Sequence, residues 1–76
     1  MGVKYYNIRW DDTWMTANIR NIGTKREGYI RLNLKTDEYE SDFKGFEISG
    51  AFGIARMIKD GRIKKQGSEK ILLVGA

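Results

Sequence analysis

The chain contains neither cysteine nor histidine. Without cysteine there are no disulfides and no thiolate metal ligands. Without histidine the usual general base, the common zinc ligand and the near-neutral pH switch are missing. No apolar run approaches the roughly 18 residues of a membrane span. "MGVKYYNIRW" has no signal-peptide apolar region, and Tyr6 stands where a myristoylation motif wants Ser or Thr. Repeats, linkers and low-complexity tracts are also lacking. The expectation is one small soluble domain over 1–76, cytoplasmic, with no membrane and no cofactor.

The 76 residues carry a formal charge of +4, and 41% are hydrophobic, enough for a folded domain. The pI near 9.5 favours acidic partners, nucleic acid among them, and argues against mimicry of DNA.

"WDDTW", residues 10–14, holds both tryptophans of the chain. Alternation on either side of it reads as two strands. In the first, Tyr6, Ile8 and Trp10 fall inward and Val3, Tyr5, Asn7 and Arg9 outward. In the second, Met15, Ala17 and Ile19 fall inward and Trp14, Thr16, Asn18 and Arg20 outward. A loop of two or four residues keeps apolar side chains opposite one another; three would invert a face. Trp10 then points to the core and Trp14 to solvent beside arginines.

"GTKREG" reads as a turn. Tyr29 to Lys35 forms a third strand with Ile30, Leu32 and Leu34 inward and Tyr29, Arg31, Asn33 and Lys35 outward. After a turn at Thr36–Glu38, Tyr39 to Ile48 reads as a fourth strand, with a bulge or bend at Gly45 where the apolar parity changes. Ser49 is the expected N-cap of an amphipathic helix that Gly61 ends, with Gly50 and Gly53 allowing close approach to the sheet. Arg62 to Ser68 is a basic loop. "ILLV", 71–74, is an apolar strand expected to be covered on both faces or paired centrally. The fold class is α+β: an antiparallel β-meander of three to four strands, one helix on one face, and a short C-terminal strand, β-β-β-β-α-β.

The expected outer face gathers Tyr5, Asn7, Arg9, Trp14, Asn18, Arg20, Tyr29, Arg31, Asn33 and Lys35. Every strand contributes an arginine, an asparagine and an aromatic, and the acids of this half fall in turns. A solvated sheet face usually mixes signs, because like charges across strands repel. Arginine forks match phosphate and guanine, asparagine pairs with adenine, and exposed rings stack on bases. The expected function is therefore a small non-enzymatic nucleic-acid-binding module, for DNA or RNA, with Arg56, Lys59, Arg62, Lys64 and Lys65 as secondary phosphate contacts. For these, a solvated helix end and loop is the plainer reading. Residues 7–34 are similar in rhythm to sheet-reading plant DNA-binding domains, although there the helix follows the third strand directly.

The alternative is a stand-alone inhibitor or adaptor of phage or mobile-element type that blocks a host or defence complex. It would use the same residues, since Trp, Tyr and Arg dominate interface hot spots. A homo-dimer through "ILLV" or an open sheet edge is a third reading. Asp37, Glu38, Glu40 and Asp42 would hold a hard cation at most weakly. "GAFG" and "GTKREG" match neither a Walker loop nor a dinucleotide fingerprint, and no activated nucleophile is marked, so an enzyme is not expected.

Overall fold

The computed structural model describes residues 2–73. Strands β1 (Gly2–Trp10), β2 (Trp14–Asn21), β3 (Glu27–Asn33) and β4 (Tyr39–Ser41) precede helix α1 (Phe46–Lys59) and strand β5 (Ser68–Leu73). All pairings are antiparallel, in the order β4-β3-β2-β1-β5. The expected element order is the one observed.

One device shapes all three hairpin turns. Asp11 Oδ1 accepts the N–H groups of Thr13 and Trp14, at 2.8 and 2.7 Å. Asn21 Oδ1 does the same for Gly23 and Thr24, and Asn33 Oδ1 for Lys35 and Thr36. Each side chain thus satisfies two amides that the ladder leaves unpaired. Lys25 and Asp37, each four residues beyond an asparagine, take positive φ and return an N–H to its carbonyl. In the first hairpin, four residues separate the first cross-strand pair, Trp10 and Met15.

β1 departs from simple alternation. Tyr6 pairs with Asn18 and Arg9 with Thr16, so Asn7 and Ile8 together oppose Ala17. Asn7 is the bulge residue, with φ of 51°, a conformation that asparagine tolerates better than most residues. The bulge inverts the expected facing of the first half of β1. Val3 and Tyr5, expected outside, are core residues only 1% exposed, whereas Tyr6 lies on the outer face. Beyond the bulge Ile8 is buried and Trp10 packs half-buried against the core, as expected.

The fourth strand is shorter than expected and the helix begins earlier. Gly45, not Ser49, is the N-cap, with φ of 79°. That positive φ turns the chain out of the extended region and into the first helical turn. Phe46 and Ile48, expected at the end of β4, are therefore helical. At the other end, Gly61 N–H reaches the Ile58 carbonyl and Arg62 N–H the Met57 carbonyl, a Schellman closure around Gly61 at φ 74°. Ile48, Ala51, Ile54 and Ala55 pack on Ile8, Met15, Ile19, Ile30 and Leu32.

Tyr5 locks the helix to the sheet. Its hydroxyl donates to the Glu47 carbonyl at 2.6 Å, and Gly50 leaves the room that its ring needs. Burial, then the nearby Glu47 carboxylate, push the phenol up to about 12. Glu47 is itself buried and accepts from Asn21 Nδ2 at 3.1 Å. Asn21 thereby joins the β2–β3 turn to the first turn of α1. Gly53 has open space around it and plays no part in this approach.

β5 is an edge strand beside β1, not a central one. Leu72 packs on the core, but Ile71 and Leu73 face outward, 54% and 83% exposed. "ILLV" is thus covered on one face only, and Val74 lies outside the described residues. No helix among the described residues is long and apolar enough to cross a membrane.

Candidate nucleic-acid interface

The face of the sheet opposite α1 carries side chains in three ordered rows. One row runs Glu40, Arg31, Thr16, Arg9 across β4, β3, β2 and β1. The next holds Tyr29, Asn18 and Tyr6, and the third Glu27, Arg20, Lys4 and Ile71. Arg9 and Arg31 stand two strands apart, about 10 Å between backbones. Trp14 lies beside the first row, and the Arg31 guanidinium stacks over its ring at 3.6 Å. Such stacking holds both groups in place while leaving guanidinium N–H donors at the rim.

Trp14 also lines, with Arg9, Trp10, Asp11 and Thr16, a cleft of about 220 Å³ at the end of the first hairpin. The amides of Trp14 and Thr13, followed by the charge of Arg31, hold the Asp11 carboxyl below its ordinary range. Asp11 therefore stays ionised as a turn former.

Arg9 is fixed by Asn7, whose Oδ1 accepts its Nε–H at 3.1 Å. The Asn7 amide reaches Asn18 at 3.5 Å. Among the described residues the ion pairs are Lys4–Glu69 and Arg62–Asp60. Arg9, Arg20 and Arg31 therefore face solvent without a carboxylate partner among the described residues, and all three share one surface.

The expected site changes in four respects. Tyr5 does not belong to it, being core. Asn33 is on the sheet, but the turn consumes its carbonyl oxygen, and Lys35 follows β3 in that turn. The face is not free of acid, because three carboxylates border it. Glu27 lies in β3 rather than in the turn and accepts from Tyr6 Oη at 2.9 Å. Glu40 accepts from Tyr29 Oη at 3.0 Å, and Glu69 pairs with Lys4. Hydrogen bonding to these carboxylates raises both phenols above their ordinary value. Finally, the secondary cations split. Arg56 and Lys59 line a hollow on α1 with Asp37, whereas Arg62, Lys64 and Lys65 lie on the loop after it.

Sequence reading missed Lys4 and Tyr6 on this face, both displaced by the bulge. Their signal was present: apolar residues stand at 3 and 5, then at 8 and 10, and the parity changes across an asparagine. It also missed Gln66. Its Oε1 accepts from Trp10 N–H at 3.0 Å and its Nε2 donates to the Trp10 carbonyl at 2.8 Å. One side chain thus substitutes for a strand neighbour and clamps the basic loop to β1, close to Arg9.

Comparison with known protein families, curated proteins and solved structures finds no match. Among the described residues no three acidic side chains converge as a metal site would require.

Proposed function

We propose that this protein binds nucleic acid through the outer face of its sheet, as a binding module rather than an enzyme. The observation that carries the reading is the set of three arginines without ion-pair partners, Arg9, Arg20 and Arg31, on one surface with Trp14. The carboxylates opposite Arg31 and Arg20, Glu40 and Glu27, accept hydrogen bonds from Tyr29 and Tyr6 instead of forming ion pairs with the arginines, and a bound polyanion relieves the repulsion left between these cations. Glu40 and Glu27 on one side and Glu69 on the other leave a basic strip that follows β2. From Trp14 to Arg20 the strip is about 20 Å long. A single strand lying along it meets cations, the Trp14 ring and the Asn18 amide. A duplex laid across it would bring phosphates against the flanking carboxylates. The reading therefore favours single-stranded DNA or RNA, with stacking at Trp14 and phosphate contacts at the arginines.

The test is binding of a labelled single-stranded oligonucleotide with and without Arg31→Ala. Affinity should fall as salt is raised, and the variant should bind more weakly; no binding at low salt would exclude the reading.

A second reading has its own support. The three bordering carboxylates and the hydrogen-bonded Tyr6 and Tyr29 make a mixed-sign, ring-rich surface of the kind that anchors protein partners. On this reading the protein is an inhibitor or adaptor that blocks a host or defence complex. A partner recovered from lysate after nuclease digestion, and lost with Trp14→Ala, favours it.

A further inference from the structure

We propose that the loop between α1 and β5 forms a separate binding site for a phosphate group. A cavity of about 290 Å³ opens there, lined by Arg62, Lys64, Lys65 and Lys70, with Ser68 and Glu69. Four cations stand against one carboxylate in its lining. Glu69 is in addition engaged by Lys4 at 3.3 Å, and Asp60 neutralises part of Arg62 at 3.5 Å. Lys64, Lys65 and Lys70 are left as the free charges, since no ion pair among the described residues includes them. The cavity lies at the small end of ligand pockets, large enough for a phosphate ester and small for a bulky cofactor.

Ser68 supplies the second observation. Its Oγ is shielded from solvent and has no hydrogen-bond partner among the described residues. A buried hydroxyl without a partner is unfavourable, and such groups in folded proteins call for an explanation. Ser68 lines the cationic cavity, and a turn of its side chain to another rotamer would bring the hydroxyl, shielded in the free protein, onto a phosphate oxygen as the acceptor that satisfies it.

The loop is also held in shape. Gly67 N–H donates to the Ile8 carbonyl at 2.7 Å, Gln66 grips Trp10 through both the oxygen and the nitrogen of its side-chain amide, and Ile63 is buried. The site is therefore built rather than a stretch of loose lysines. It stands independently of the outer face, and a phosphodiester of nucleic acid or a free phosphomonoester would present the same oxygens to it.

The experiment is a titration of the folded protein with inorganic phosphate, followed by amide NMR and compared with chloride at matched ionic strength. Saturable shifts confined to Arg62–Lys70 are expected. Ser68→Ala should weaken binding about fivefold without lowering Tm, because the hydroxyl makes no bond in the free protein. Lys64→Ala with Lys65→Ala should weaken it tenfold or more. Arg31→Ala should leave this titration unchanged, so failure here and failure of the outer-face reading are distinguishable.

An oligonucleotide with and without a 5′-phosphate separates the two sources. Equal shifts indicate a diester, and shifts only with the 5′-phosphate indicate a monoester. Shifts that follow ionic strength without saturating, or unchanged phosphate affinity in Ser68→Ala, would overturn the proposal.

Discussion

The bulge at Asn7 decides which side chains reach the outer face, and a pair of substitutions tests it by sign. Asn7 sits at φ 51°. A β-branched residue there suffers a backbone penalty of about 1–2 kcal/mol, whereas glycine suffers none. Asn7→Val and Asn7→Gly both lose the exposed contacts to Arg9 and Asn18, so those losses cancel in the comparison. The backbone term remains. In a regular strand the order would reverse, because valine outranks glycine there by up to about 1 kcal/mol.

The structure therefore predicts Asn7→Gly to be more stable than Asn7→Val by about 1–2 kcal/mol. For a domain of this size that is roughly 4–16 °C in Tm. Urea unfolding followed by far-UV circular dichroism measures it, provided both variants share one m-value. If Asn7→Val is the more stable, β1 runs without the bulge. Tyr5 and Tyr6 then exchange faces, and the surface described above is wrong.

Other predictions follow from the same packing. Tyr5→Phe removes the hydrogen bond to the buried Glu47 carbonyl and should cost about 1–2 kcal/mol at neutral pH. The Tyr5 pKa is raised on folding, from 10.0 to about 12, so its protonated form favours the folded state. That contribution is complete below pH 10 and fades as pH rises from 10 towards 12, by up to roughly 2.5 kcal/mol. The stability gap between wild type and Tyr5→Phe should accordingly narrow over that window, and a constant gap would refute the assignment. Gly50→Ala should destabilise by about 1–3 kcal/mol because its Cβ meets the Tyr5 ring, while Gly53→Ala, with open space, should stabilise by up to about 1 kcal/mol. Thermal melts decide both. Asn21→Ala removes two turn acceptor bonds and the Glu47 contact and should cost about 2–4 kcal/mol by urea unfolding.

Much of this architecture was legible in the sequence. β2 and β3 alternate without interruption and both faces were assigned correctly, because neither strand contains a bulge. Helix α1 announced itself by its spacing and by Gly61. Where reading failed, two signals coincided. In "VKYYNIRW" adjacent tyrosines make either phase plausible, and only a left-handed asparagine resolves which one enters the core. At Gly45 a parity change fitted a bulge and a helix start equally well, and its positive φ decides between them.

The edge position of β5 was hidden for another reason. An unalternating apolar run usually means burial on both faces, yet here Ile71 and Leu73 remain outside. Two cooperating features of the site could not be seen in linear order: the stacking of Arg31 on Trp14 and the reach of Gln66 to Trp10. Both join residues more than fifteen positions apart and depend on register.

The central claim is that the unpaired arginines along β2 and its neighbours form a polyanion-binding strip. The most direct measurement is the salt dependence of single-stranded oligonucleotide affinity, comparing wild type with the triple variant Arg9→Ala, Arg20→Ala, Arg31→Ala. Each phosphate contact on a single strand contributes about 0.7 to the slope of log affinity against log salt, so the triple variant should lose about 2 from it, together with most of its affinity at low salt. An equal slope and equal affinity in the two proteins would contradict the account.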